Sequence, residues 1–208
     1  MKRLKFITLV IFFLSFVFSN NACTKEQDNN SKAKNQITLK KSNEITLNND
    51  NTPLVLDVKS VSSPQSGKAL NFTWEMNGKT YSFAEYTKGK VVLLNFWATW
   101  CGPCRMEIPS IIELDKELPD KDFVVIGVAL DNRGTLEQVR SLVKNFAKVN
   151  GITYINFLPT QDIISPYGNI NSIPTTFIID RKGNIVEKII GARSKKDFYN
   201  SIMKAMKS

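Results

Sequence analysis

The apolar pattern of this chain changes character along its length. Phe6 to Phe18 is an apolar run broken only by Thr8 and Ser15, Thr24 to about Ser66 is mostly polar, and beyond Lys68 apolar residues recur at strand and helix spacings. Leu70 to Met76 and Lys79 to Phe83 flank Asn77-Gly78, a dipeptide that accepts the positive φ angles of a two-residue hairpin turn, which predicts an N-terminal β-hairpin. Val91 to Trp97 is short, apolar and β-branched at its start, so it reads as a buried strand. A helix follows from about Cys101 to Leu118, with Pro109 expected to kink it, and then a strongly apolar strand from Phe123 to Leu130. Leu136, Val139, Leu142, Val143 and Phe146 give an amphipathic helix over Thr135 to Val149. Ile152 to Phe157 is a strand, Gln161 to Tyr167 a short helix, and Thr175 to Asp180 and Ile185 to Ile190 are strands joined by a Gly-containing turn. Ser194 caps a last helix that places Phe198, Ile202 and Met206 on one face. Strands and helices alternate early and a hairpin closes the sheet, so the fold class is α/β with a mixed central sheet flanked by helices.

Three segments result. Met1 to Lys5 is positive and the apolar run after it is short of the roughly 20 residues a membrane span needs, so residues 1–22 read as a secretory signal. Ala22 stands directly before Cys23, which resembles the site where bacterial lipoproteins are cleaved and lipidated on cysteine, although Asn20 replaces the usual aliphatic residue. Ordinary signal cleavage nearby and an uncleaved anchor are the other readings, and all three export the domain. Residues 23–66, rich in Asn, Lys, Ser and Asp, read as a tether with an r.m.s. reach of about 35 Å, within which Leu54 to Val58 forms at most a short strand. Residues 67–208 form the folded domain, large enough for one core.

Charge and composition narrow the chemistry. Of 208 residues 28 are Lys or Arg and 19 Asp or Glu, a net charge of +9, with three of the positive charges in the leader. No basic run is interleaved with stacking aromatics, so nucleic acid is excluded as a partner and the lysines read as a solvated surface. The chain has no His, which rules out His acid–base catalysis and His metal ligands, and Arg105 stands where a haem-attachment motif needs His. One Cys-x-x-Cys pair cannot supply the four ligands of a structural zinc site, so neither metal nor cofactor is expected.

The remaining chemistry lies in Trp100-Cys101-Gly102-Pro103-Cys104. Two thiols two residues apart can close and open a disulfide, and Pro103 suits the first turn of a helix. Cys101 then sits at the helix N-terminus, where partial positive charge and unpaired N–H groups favour its thiolate, the nucleophilic form. A static structural disulfide is the competing reading, and so short a loop makes a weak staple.

From Lys68 to Met206 the chain resembles the thioredoxin superfamily, and more narrowly the membrane-tethered TlpA/ResA-type thiol:disulfide oxidoreductases. The resemblance rests on VVLLNFWATWCGPCRMEIP (Val91 to Pro109) and SIPTTFIIDRKGNI (Ser172 to Ile185), in the family's order and separation. It implies a thioredoxin-like fold in which Cys101 attacks a client disulfide and Cys104 resolves the mixed disulfide. It also implies that Pro174, after Ile173, is a cis proline facing the cysteine pair and presenting backbone groups to a client strand. Trp100 becomes a partly exposed platform and Trp97 core packing. Asn95 stands where thioredoxin has a buried Asp, and Glu107 matches an acidic residue of the ResA-like branch; three residues after Cys104 and so on the same helix face, it is expected to tune and deprotonate Cys104.

The implied function is an exported thiol:disulfide oxidoreductase with disulfide-containing client proteins. Gly-Pro between the thiols favours a reductant, because thioredoxin with this dipeptide lies near about −270 mV against about −120 mV for a strong periplasmic oxidant. A reductant outside the cytosol requires an electron-donating membrane protein, and the family suggests cytochrome c maturation as one setting. Two alternatives are a redox-regulated peptide-binding or assembly module and a thiol peroxidase on the same fold.

Overall fold

A computed structural model describes residues 53–208 of the protein. In chain order the strands are β1 (Val55–Leu56), β2 (Ser60–Val61), β3 (Phe72–Met76), β4 (Lys79–Ser82), β5 (Val91–Trp97), β6 (Phe123–Ala129), β7 (Ile155–Phe157), β8 (Thr175–Ile179) and β9 (Ile185–Ile190). The helices are α1 (Phe83–Tyr86), α2 (Gly102–Glu117), α3 (Leu136–Asn150), α4 (Gln161–Ile164), which runs into a 3-10 turn at Ser165–Tyr167, and α5 (Lys195–Met206). Six strands form the main sheet in the order β1-β7-β6-β5-β8-β9, and β2-β3-β4 form a second, smaller sheet. β5 pairs parallel with β6 and antiparallel with β8, which makes the main sheet mixed.

Every residue of β5 is buried because both of its faces are covered. Leu93 and Trp97 point into one core with residues of α2, α3 and α5. Val92, Leu94 and Phe96 point into the other, with Phe72 and Trp74 of the hairpin sheet. Alternating side chains on a two-sided strand explain why this segment is apolar throughout rather than at every second position. Phe72 and Trp74 both meet Phe157, at centroid separations of 4.9 and 5.1 Å and edge-on, so the small sheet is fastened to the large one by aromatic packing.

The expected hairpin is present, with Met76 paired to Lys79 and both turn residues at positive φ, Asn77 at 52° and Gly78 at 72°. α2 continues through Pro109 and buries Cys104, Glu107, Ile108, Ile111, Ile112 and Leu114 on one side. α3 opens on a capping box between Thr135 and Gln138 and ends at Gly151 in the left-handed conformation. Its buried stripe is Val139, Val143 and Ala147, whereas Leu136 and Leu142 of the expected apolar face are exposed. α5 is capped by Ser194 and buries Phe198 and Ile202, with Met206 packed against the same core.

Strand pairing extends into the stretch expected to be a tether, beginning at the short strand expected within Leu54 to Val58. Val55 and Leu56 pair in parallel with Asn156 and Phe157 at the edge of the main sheet, and Ser60 and Val61 pair with Thr73 and Phe72. Arg140 of α3 fastens this entry, donating to Asp57 at 2.6 and 2.8 Å and to the Val55 carbonyl at 3.1 Å. The pairing partners lie up to about a hundred residues away, so a local polar average cannot reveal them. The signal segment, Cys23 and the first part of the tether lie outside the described residues, among which no helix is long and apolar enough to cross a membrane.

Candidate active site

The C-terminal end of β5 turns through Ala98, Thr99 and Trp100 to deliver Cys101 as the N-cap of α2. Cys101 and Cys104 are disulfide-bonded with Cα atoms 5.3 Å apart. The Cys101 sulfur accepts the Cys104 backbone N–H at 3.2 Å, a contact that favours negative charge on that sulfur once the bond opens. Cys104 is fully buried, Cys101 retains 4 % exposure, and Gly102 and Pro103 between them are exposed. The sulfur with access to a partner is therefore Cys101.

The loop before β8 lies against this pair. Ile173–Pro174 is a cis peptide, and the Ile173 carbonyl oxygen is 3.7 Å from the Cys101 sulfur. Pro174 is itself held by Gly191, whose N–H donates to the Pro174 carbonyl at 2.8 Å. Ile173 and the 63 % exposed Trp100 line an open groove of about 440 Å³ beside the sulfurs. Trp97 is fully buried, its indole N–H donating to Asn156 Oδ1 at 2.9 Å across Gly127 of β6.

Glu107 lies one helical turn after Cys104 and is 2 % exposed. Its Oε1 accepts from Asn95 Nδ2 at 2.8 Å and its Oε2 from the Arg193 backbone N–H at 3.3 Å. Burial pushes the carboxyl up to about 7, against the opposing pull of the Asn95 and Arg193 hydrogen bonds. A carboxyl poised there can both take up and release a proton near neutral pH. Asn95 also donates to Thr176 Oγ1 at 2.9 Å, and its own Oδ1 is buried without a partner. Two turns further along α2, burial raises Asp115 to about 6, with the Thr153 hydroxyl donating to it at 3.1 Å.

The fold thus brings together Cys101, Cys104, Glu107, Trp100, Gly102, Pro103, Ile173 and Pro174. Two further participants are Asn95, noted in the sequence only for standing where thioredoxin has an Asp, and Arg193. Asn95 belongs to the odd-numbered side of β5, the side that faces α2, so its contact with Glu107 is a register consequence. Arg193 sits in the loop between β9 and α5, and no local pattern marks it.

Comparison with known proteins identifies the family. A Redoxin family model matches residues 64–205. The thiol-disulfide oxidoreductase ResA of Bacillus thuringiensis (strain Al Hakam) is 36% identical over 143 residues, which cover 67% of this chain and 78% of that protein. A thiol:disulfide interchange protein of Chlorobium tepidum TLS, of the thioredoxin family, superposes with a TM-score of 0.59 at 34% identity, covering 70% of this chain and 98% of that one. The pneumococcal exposed lipoprotein thioredoxin of Streptococcus pneumoniae strain TIGR4 superposes with a TM-score of 0.51 at 33% identity, covering 64% of this chain and 98% of that one. With its paired cysteines at a helix start and a cis proline against them, the chain belongs to the redoxin family as a ResA-like thiol:disulfide oxidoreductase of thioredoxin fold.

Proposed function

We propose that the protein is an exported reductant of protein disulfides, held at a membrane by a lipid on Cys23. The observation that carries the catalytic part is the unequal placement of the two sulfurs. Cys101 stands at a helix N-terminus beside the Ile173 carbonyl and an open groove, while Cys104 is enclosed one turn before a carboxyl raised to about 7. In the reduced protein the Cys101 thiolate attacks one sulfur of a client disulfide, and the client's other sulfur leaves as a thiolate and takes a proton. Glu107 accepts the Cys104 proton, and the Cys104 thiolate then attacks the Cys101 sulfur, closing the enzyme disulfide and releasing the client's second thiolate. The proton on Glu107 leaves to solvent or to that thiolate. Two electrons have passed to the client, and an electron-donating membrane protein restores them to the enzyme.

The Gly-Pro dipeptide between the thiols supports this direction. The leader, the Cys23 position and a tether before the first strand support export and anchoring, as does likeness to a protein described as an exposed lipoprotein thioredoxin. Clients then include proteins whose cysteines must be kept reduced outside the cytosol, with apocytochrome c as one candidate. Titration of the pair against glutathione and dithiothreitol buffers tests the direction: a midpoint below about −230 mV supports a reductant, and one near that of strong periplasmic oxidants, about −120 mV, overturns it. Cys104→Ser should trap client mixed disulfides in cells, and Cys23→Ala should release the protein from membranes and abolish incorporation of labelled fatty acid.

A further inference from the structure

The turn that carries Trp100 and Cys101 is gripped from the neighbouring strand. Beyond the end of β6, the Leu130 N–H donates to the Trp97 carbonyl at 2.7 Å, and Asp131 follows with 2 % exposure. Asp131 Oδ2 accepts the Thr99 backbone N–H at 3.0 Å, and its Oδ1 accepts the Thr99 hydroxyl at 2.5 Å. Both carboxylate oxygens therefore serve one residue, two positions before the attacking cysteine. Within the turn the Cys101 N–H donates to the Ala98 carbonyl at 3.1 Å, so Thr99 is the point at which the turn is tied to the sheet.

The residues on either side of this clamp have a common surface. Trp100 next to Thr99, and Leu130 and Asn132 next to Asp131, line the groove of about 440 Å³ together with Ile164, Ile170 and Ile173. The Asp131–Thr99 contact thus joins two walls of one groove without lying in it. A hydrogen bond to a carboxylate is stronger than one between neutral groups, and two to the same residue fix orientation as well as distance. Cys101 is less dependent on this clamp, because it is also held as the N-cap of α2 and by the bond to Ala98. Trp100, at 63 % exposure, lacks comparable packing.

We propose that Asp131 is a positioning residue that sets recognition of protein substrates: by holding Thr99 it fixes Trp100 as one wall of the groove beside Ile173, and so governs how tightly an extended client segment docks. This rests on the reading that clients dock beside the sulfur pair, and it assigns the docking strength to a carboxylate that touches neither sulfur nor client.

The test is single-turnover oxidation of the pre-reduced full chain by insulin, a protein disulfide, and by hydroxyethyl disulfide, which is too small to span the groove. Acid quench, alkylation and mass measurement follow the enzyme's own disulfide. In Asp131→Asn an amide replaces one of the two acceptors, and the half-saturating insulin concentration should rise about tenfold relative to that for hydroxyethyl disulfide, with the limiting rate on insulin falling less than twofold, the concentration shift corresponding to about 1.4 kcal/mol. Thr99→Val removes the hydroxyl alone and should move the same ratio in the same direction, and Thr99→Ser, which retains both donors, should restore it. Equal losses with both disulfides would place Asp131 in the reactivity of the sulfur pair and overturn the proposal, as would an unchanged ratio in both Asp131→Asn and Thr99→Val. Failure of the parent to react with either disulfide would instead overturn the oxidoreductase mechanism itself.

Discussion

Replacing Glu107 by Gln should make the oxidised protein more stable in alkali while slowing its chemistry. The carboxyl is held at about 7 in the fold by burial, against an ordinary 4.5, so folding disfavours its ionised form. Its contribution is therefore complete below the ordinary value and is lost as pH rises through about 7. The gap corresponds to a loss of about 3 kcal/mol between acid and alkaline pH, an appreciable share of the total stability of a domain of this size. Gln carries no such loss. It can still accept from Asn95 Nδ2, but its amide nitrogen meets the Arg193 N–H that Oε2 accepted, which costs about 1 kcal/mol at all pH values.

Urea unfolding of the disulfide form at about pH 5 and about pH 8.5 isolates this effect. The variant should be slightly weaker than the parent at the lower pH and about 2 kcal/mol more stable at the higher one. Asp115, raised to about 6 by its own burial, titrates in both proteins and cancels in the difference. If the two proteins lose the same stability between these conditions, Glu107 does not titrate as a buried carboxyl and the proton-transfer role falls with it. With that role intact, the resolving step of the parent accelerates as pH rises through about 7 and that of the variant stays flat.

Three further outcomes follow from packing and hydrogen bonding. Gly127→Ala should destabilise by at least about 2 kcal/mol in the same unfolding assay, since a Cβ there would lie 2.0 Å from Asn156 Oδ1 and 3.0 Å from Trp97 Nε1; parent-like stability would show that the Trp97–Asn156 bond can move aside. Arg140→Ala should cost only about 1 kcal/mol globally, because Asp57 is partly exposed, yet it should raise hydrogen exchange at the Asn156 and Leu158 amides, which donate to Leu54 and Leu56. Unchanged exchange at those amides would mean that β1 needs no clasp. Asn95→Leu removes a donor that lowers the Glu107 carboxyl, so the pH dependence of the resolving step should move upward, and a shift downward would reverse the assigned cause.

The fold and the sulfur chemistry were readable because their signals are local. Asn77-Gly78 specifies its own turn, Pro103 and the two cysteines mark a helix start, and the all-apolar β5 requires cover on both faces. What escaped depends on partners distant in sequence. Ser60 and Val61 lie in a polar stretch and form a strand only because β3 offers an edge. Leu136 and Leu142 fit a helical stripe as well as Val139 does, but the sheet beneath α3 accommodates the face defined by Val139, Val143 and Ala147. Asp131 follows an apolar strand in the manner of any loop carboxylate, and its burial becomes apparent only when β5 and β6 are side by side. Arg193 contributes a backbone N–H to Glu107, a role open to any residue but proline and therefore unmarked in sequence.

An amide rather than a carboxylate at position 95 suits this site. A second carboxyl within hydrogen-bonding distance of Glu107 would share its proton, since two buried like charges so close cannot both ionise, and the pair would titrate as a unit. Asn95 holds Glu107 without competing for that proton. Its NH2 group donates both to Glu107 Oε1 and to the Thr176 hydroxyl, while its own carbonyl is buried without a partner. With an amide at position 95 the proton of this contact belongs to Glu107 alone, so the carboxyl titrates as a single group as the sulfurs exchange.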